Sequence, residues 1–453
     1  LMQCERTVSG EITAFLSLIF VLLISFIFAL LESATIQTTK NQKRLDVDRA
    51  IFSIFGEYQK ELWKEYEVFA LDASYQSGQY DENRILDRLA YYGSAGIEQE
   101  ISEIQMLTDN QGQAFREQVL AFMEQQTGIQ SIQNMIGLSA QWEEREIEGS
   151  QLTEQMENEL LQNGSVIEEE ASELLQTKAS GLLALALPKN FILSNRSISK
   201  EQQLSSRTLN GGRGSFPARV GVGGLEERVL FEQYIEQHFS SAVEKKSENR
   251  TLDYEMEYIL CGKSSDKENL EAVIKRLMAA RFALNYGYLM GSVQRQEEAA
   301  ALAATVAVIL LQPELMETAK QIILMLWGFG ESVIDIRALL SGNRVAMIKD
   351  DSNWQLQLSS LFLLGTALDT QEGRDDESGM KYTQYLQMLL LLKQNSEITM
   401  RTLDRVEENL IYENNQGYFR ADSCVTRMKL QNKAEIWNGK TYQFPCKFGY
   451  ESQ

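Results

Sequence analysis

Ile12-Thr-Ala-Phe-Leu-Ser-Leu-Ile-Phe-Val-Leu-Leu-Ile-Ser-Phe-Ile-Phe-Ala-Leu-Leu31 is a run of twenty residues with no charge, no glycine and no proline. As a helix rising about 1.5 Å per residue it is roughly 30 Å long, the hydrocarbon thickness of a bilayer. Glu11 and Glu32 bracket it. This reading predicts a single transmembrane helix over residues 11–32. Ile12, Phe15, Leu16, Ile19, Phe20, Leu23, Phe26, Ile27 and Leu30 would face lipid, which makes membrane lipid the partner of residues 12–31.

Nothing in the sequence stops that helix at the membrane. No glycine or proline lies between Glu11 and Phe55. Beyond the span, Leu45, Ile51, Phe52, Phe55, Tyr58 and Leu62 keep helical spacing. One rod of about 45 to 55 residues is expected, with residues 33–65 as a membrane-proximal extension packed on the body. Two helices meeting near Thr38–Asn41 are the alternative. Residues 1–10 form a short polar lead whose base is Arg6. A secretory signal has a basic start, a short apolar core and a small-residue cleavage site. Here the core is too long and no A-x-A site follows, so a retained anchor is expected. Lys40, Lys43 and Arg44 follow the span, against Arg6 before it. A plain positive-inside count places the body in the cytoplasm, but that rule weakens for long translocated domains.

The remaining chain is a large acidic body. A length of 453 residues suggests two or three domain-sized units, and 44% hydrophobic residues allow sizeable cores. A net charge of −21 argues against nucleic acid, which needs clustered Lys and Arg. Four prolines and many Glu, Gln, Leu and Ala predict long helices. The expected class is mainly α with some β: a spanning helix continuing into a long helix, then a helical body with a small antiparallel sheet.

Glu67–Asp72 reads as a short strand and Ala73–Gly78 as a turn. Residues 66–187 read as an acidic helical region. Glu98–Leu175 carries 17 acids against two Arg, with apolar residues recurring at Phe115, Val119, Phe122 and Met123 and again at Ile129, Ile132, Met135 and Ile136. No D-x-[DN]-x-[DN]-G loop is present, so these acids read as solvated helix faces rather than a Ca²⁺ site. Residues 188–224, rich in Ser, Asn, Arg and Gly, read as an exposed loop or linker. Its glycines precede Glu226 and Glu227, which would repel phosphate, so no nucleotide cradle is read there.

Residues 225–422 are expected to be a helical body. Leu225–Phe239 is a helix ending near His238, the single histidine. Residues 253–260 alternate Tyr254, Met256 and Tyr258 against Glu255 and Glu257, the pattern of a half-buried strand. Ser265-Asp-Lys-Glu268 is a capping box that starts a helix. Ala299–Leu311 and Ile322–Leu340 read as a buried helical hairpin broken at Pro313, with a second membrane segment as the alternative. Tyr382–Lys393 and Ile398–Leu410 add helices. Residues 423–453 read as a β-hairpin turning at Asn438-Gly439, where an Asn-Gly pair suits a type I′ turn.

Sites of chemistry are sparse. With four cysteines, no C-x-x-C pair and one histidine, no metal site is expected. Cys424 and Cys446 flank the hairpin and are a candidate disulfide if the body is extracellular, with two free thiols as the alternative. Cys4 lacks a lipoprotein context for acylation. Glu331 and Asp335, four apart, share a helix face; they read as a wet stripe tied to Arg337 or Lys320, with acid–base work as the alternative. No catalytic, cofactor-binding or metal-ligating residue is assigned, and no enzyme is expected.

Several segments carry a resemblance: Gly10-Glu-Ile-Thr-Ala-Phe-Leu-Ser-Leu18, Leu31-Glu-Ser-Ala34 and Tyr66-Glu-Val-Phe-Ala-Leu-Asp72. Further segments are Leu107-Thr-Asp-Asn110 with Phe115-Arg-Glu117, Asp253–Ile259 with Gly262–Leu270, and Glu331–Leu339. Together they resemble an uncharacterised Gram-positive family that looks like the TadE/TadG minor pilins of tight-adherence (Flp-type) pilus systems. The resemblance implies an extracellular body, pilus or secretion-system subunits as partners, and Gly10 and Glu11 as the processing site. One departure is plain. Pilin-like segments carry glutamate at the fifth position after the processing glycine, and here that position is Phe15.

The function expected is therefore a membrane-anchored, non-enzymatic envelope protein, pilin-like or accessory to such an apparatus, working through protein contacts. A membrane-tethered binding or sensory module unrelated to pili is the other reading, and an anchored hydrolase using Glu331 and Asp335 is the third.

Overall fold

The computed structural model describes residues 5–126, 132–163, 181–217, 224–309, 313–366 and 369–450. Its longest element is α1, Glu5–Phe55, a helix of 51 residues. The absence of breakers lets the rod run through Thr38–Asn41 without interruption, so the two-helix alternative is excluded. α1 ends where Gly56 follows, and α2 (Lys60–Tyr66) is started by the Gln59 side chain, which accepts from the Glu61 amide at 3.0 Å.

A small antiparallel sheet stands against the second half of α1. Its strands are β1 (Leu71–Asp72), β2 (Glu98–Met106), β3 (Cys424–Glu435) and β4 (Thr441–Gly449). β3 is central. Leu430 pairs with Ile101 of β2 on one side and Cys446 of β4 on the other, and Val425 pairs with Met106 and Leu71. So β1 and β4 share one edge of β3. Val47, Ala50, Ile51, Ile54 and Phe55 of α1 pack with Ile101, Ile104, Met428, Leu430 and Phe444 of the sheet. α3 (Glu82–Leu89) adds Ile85 and Leu89 to this core, and Asp81 caps it by accepting from the Asn83 amide.

The larger core is helical. It is built by α4 (Asp109–Gln126), α5 (Ile132–Asn163), α6 (Leu182–Ala186), α7 (Leu225–His238), α8 (Glu255–Cys261), α9 (Asp266–Gly291), α10 (Val293–Ile309), α11 (Met316–Leu340), α12 (Tyr382–Leu391) and α13 (Asn395–Tyr412). α11 is the axis of this body: Ile322 to Trp327 and Val333 to Leu340 are buried almost throughout. The expected hairpin is present as α10 and α11, but only α11 is buried; among the described residues of α10 the stripe Ala299, Ala303 and Ala307 is covered while Val293, Ala301 and Thr305 are exposed. The capping box at Ser265 starts α9, with the hydroxyl accepting from the Glu268 amide at 3.3 Å.

Three local expectations are corrected. Residues 253–260 are not a strand: Glu255–Cys261 is helical and closes on Gly262 in a left-handed cap. The alternation misleads because Glu255 and Glu257 signal solvent by type, whereas both are fully buried. Glu255 accepts from the Ser240 amide, and Glu257 accepts from the Ala242 amide and the Tyr382 hydroxyl. Burial on every side leaves no helical period to see. Conversely, Glu98–Met106 is a strand in a region read as helical. Its pairing shifts register between Ile101 and Glu103, and that bulge sets Ile101 and Ile104 three apart, a helix-like spacing. The strand expected at Glu67–Asp72 shrinks to Leu71–Asp72 because Glu67 is a left-handed helix cap with φ 53°.

The C-terminal hairpin forms, but not on a two-residue turn. Pairing ends at Glu435 and Thr441, and residues between them make a 3-10 turn, Trp437–Gly439, closed by the Ile436 amide on the Lys440 carbonyl.

Candidate functional site

The first half of α1 is bare. Among its described residues Ile12, Phe15, Leu16, Ile19, Phe20, Leu23, Phe26, Ile27 and Leu30 are 42–63% exposed. α1 is the one helix among the described residues long and apolar enough to cross a membrane, and none of its most apolar window is buried in the fold. A core helix of a water-soluble protein would hide that surface; leaving so many apolar side chains in water is strongly unfavourable. The backbone at Gly10 and Glu11 is helical, inside α1. Cys4 lies outside the described residues.

What holds this helix is an aromatic mount that sequence reasoning missed. β4 runs alongside α1 in the same direction and turns one face to it. Phe448 packs on Phe52 and Phe55, with ring centroids 5.8 and 4.9 Å away. Tyr450 packs on Phe55 at 5.1 Å and on Phe69 at 5.5 Å. Nearer the span, Tyr442 lies under two cations of α1, Lys40 Nζ at 5.0 Å and Arg44 Cζ at 5.4 Å, contacts worth about 0.5–1 kcal/mol each when exposed. At the turn, Lys440 Nζ stands 3.8 Å from Glu32 Oε1. The signal was present in the period-two run Tyr442, Phe444, Cys446, Phe448 and Tyr450.

The candidate disulfide does not form. Cys424 and Cys446 are free thiols. Cys446 faces Leu430 across the ladder, whereas Cys424 sits opposite Asp72, so roughly 20 Å of strand separates their levels. Cys446 Sγ instead donates to Asp48 Oδ1 of α1 at 3.2 Å. Burial, and then the Asp48 carboxylate, push this thiol up to about 12.

Glu331 and Asp335 are neither a wet stripe nor partners of Arg337 and Lys320. Both are fully buried in α11. Lys349 Nζ lies 2.8 Å from Glu331 Oε1 and 2.8 Å from Asp335 Oδ1. Arg281 of α9 reaches Asp335 Oδ2 at 2.7 Å and donates to the Ala346 and Met347 carbonyls. Glu331 also accepts the Gln355 and Leu356 amides at 3.0 and 2.6 Å. Burial raises the Glu331 carboxyl. Asp335 is pushed the same way by burial, but Arg281 and Lys349 outweigh this and hold it below its ordinary value. Two acids and two cations balance, and Asp335 Oδ1 is met by the Lys349 ammonium alone. The arrangement clamps the loop after α11 onto α9 and α11. Arg337 itself serves another pair, with Asp369 at 2.8 Å.

His238 closes the end of α7. Its Nδ1 is 3.1 Å from the Glu65 carbonyl and its Nε2 is 3.3 Å from Glu67 Oε2. Burial pulls the imidazole down to about 4. The segment read as a loop over 188–224 is stitched down where described: Arg207 pairs with Glu407 and Asp422 at 2.5 and 2.7 Å, and Gly212 donates to Asp109.

The model of a family of unknown function, DUF5702, matches residues 162–436, more than half of the chain. It takes in α6 to α13 and β3, and leaves out α1 to α4, nearly all of α5, and β1, β2 and β4. No curated protein and no solved structure matches.

Proposed function

The chain belongs to this family of unknown function, DUF5702, and from that premise we propose that it is a membrane-anchored, non-enzymatic envelope protein. Its body lies on the outer side of the membrane. It works through protein contacts, as a pilin-like or accessory component of a tight-adherence-type apparatus. The observation that carries the anchor is the bare apolar half of α1, continuous with a half that is locked into the fold. A rod continuous through both parts transmits the position of the span to the head without a hinge. Leu45 and Phe52, one heptad apart and 62% and 67% exposed, extend an apolar edge of the rod beyond the span, a surface suited to neighbouring helices. The resemblance of Gly10–Leu18 and Tyr66–Asp72 to TadE/TadG-like sequences supports the pilus assignment.

Protease treatment of intact cells tests the side of the membrane: loss of the body supports this reading, and a body cut only after lysis refutes it. Copurification of the native membrane protein with pilus-machinery subunits is expected. A protein recovered alone, with no assembly defect on deletion, counts against it.

A second reading has one specific observation in its favour. Phe15 occupies the position where pilin-like segments carry glutamate, which removes the charge partner for a neighbouring subunit's amino terminus. A tethered binding or sensory module needs no such partner. Sequencing the mature amino terminus separates the two: a start at Glu11 marks prepilin-type processing, and an intact lead favours the tethered module.

A further inference from the structure

We propose that the tip of the β3–β4 hairpin, Trp437 with Lys440, is a second membrane contact, seated among lipid headgroups beside the span. This rests on the reading of α1 as the anchor. The height of the tip follows from the contacts with α1. Lys440 reaches Glu32, the residue directly after Leu31, and Tyr442 lies against Lys40 and Arg44. The tip therefore stands between the levels of Glu32 and Lys40, within about 12 Å of the end of the apolar run. The headgroup layer on each face of a bilayer is roughly 5–8 Å deep. A tryptophan ring reaching down from that height enters it.

The chemistry at the tip fits the place. Trp437 is 52% exposed, although Ile436 beside it is buried and the aromatics of β4 pack on α1. Tryptophan is enriched at the membrane interface because its ring is apolar and its N–H still bonds to wet acceptors. The charge around it is reversed from that of the chain. From Glu32 to Arg44 there are three bases, Lys40, Lys43 and Arg44, and one acid. From Lys433 to Lys447 there are three bases, Lys433, Lys440 and Lys447, and one acid, Glu435. In a protein of net charge −21, Lys440 of the tip with Lys40 and Arg44 of α1 makes a local basic patch at this height, which matches phosphate headgroups. Trp437 at the tip of a hairpin bound to the rod makes a second foot. It fixes the rotation and tilt of the head, which a single helix leaves free.

The test uses the full chain with p-benzoylphenylalanine in place of Trp437, in vesicles of equal parts phosphatidylcholine and phosphatidylglycerol. Illumination is followed by mass spectrometry for lipid adducts. Matched chains carry the same residue in place of Gln431, farther up the hairpin, or Phe20, inside the span. Adduct yield at 437 is expected to exceed that at 431 by at least about threefold, as interfacial placement requires, and to fall in Lys440→Glu. Equal yields at 437 and 431 with strong adducts at 20 overturn the second contact and leave the anchor standing. Absence of adducts at 20 removes the anchor, and this proposal with it. Protein–protein adducts at 437 in place of lipid overturn it in favour of a second copy.

Discussion

The Tyr450 hydroxyl donates to the Phe55 carbonyl at 2.5 Å, joining the residue after β4 to the last residue of α1. That bond caps the helix end, whose final carbonyls have no partner within the helix, and Phe448 fills the angle beneath it. Phe448→Ala is expected to cost about 2 kcal/mol, below the range for a fully buried phenylalanine because Phe448 is half-buried. Tyr450→Phe is expected to cost about 1 kcal/mol for one hydrogen bond. Both should speed proteolysis between Gly56 and Lys60 without unfolding α11. If cleavage there is unchanged while global stability drops, the aromatics are ordinary core and not a mount.

Lys349 neutralises two carboxylates at once, so removing it leaves a net charge buried. Lys349→Met is expected to destabilise the body by about 3–5 kcal/mol, the cost of breaking a buried pair from one side. Adding Glu331→Gln should recover part of that loss, because one uncompensated charge is then gone. Thermal unfolding of the two variants followed by circular dichroism makes the comparison. No recovery in the double variant would show that the ammonium answers to Asp335 alone.

The long bare helix was legible because an apolar run of twenty residues without a breaker is written in one stretch of chain. The hairpin was legible from its alternation. The clamp at Glu331 was not, because Arg281 and Lys349 are 54 and 14 positions from Asp335 toward either end of the chain, and a carboxylate pair on a helix looks the same wet or buried. α8 was misread for the same reason: Glu255 and Glu257 signal solvent by type, yet each is satisfied by amides and hydroxyls brought from elsewhere. β2 was lost to a bulge. Local pattern carried what one element decides by itself, and it failed where a distant partner reverses the usual meaning of a charge.

Gly112 sits at φ +79°, after Asn110 and Gln111, which are also left-handed. A Cβ added there would come 2.8 Å from Thr399 Cγ2 and 3.0 Å from Leu403 Cδ1 of α13. Gly112→Ala is expected to cost about 2–3 kcal/mol, from strained backbone and overpacking together. Thr399→Ser removes the Cγ2 and should restore about half of it. Urea unfolding of the single and double variants is the measurement. A fully additive pair would mean that the backbone, not the contact with α13, sets the requirement for glycine.

Glu67 Oε2 and His238 Nε2 face each other at 3.3 Å in a half-buried site. With Nδ1–H donated to the Glu65 carbonyl, the bare Nε2 faces Glu67 Oε2 at 3.3 Å, and two lone pairs repel unless one carries hydrogen. Burial raises the Glu67 carboxyl from an ordinary 4.5 to about 7, and burial lowers the imidazole from 6.5 to about 4. A raised acid stabilises the fold while it is protonated, fully below its unfolded value, and that contribution is lost as pH climbs through about 7. A depressed histidine acts in the other direction: its contribution is whole above 6.5 and is lost as pH falls through about 4. Glu67→Gln keeps a donor toward Nε2 and abolishes the ionisation. It should therefore match the parent near pH 5 and exceed it near pH 8.5, by about 1 kcal/mol after discounting for the partial exposure of Glu67. Chemical unfolding at the two pH values decides it. A variant less stable than the parent near pH 8.5 would mean that the two side chains form a charged pair, with the proton on histidine.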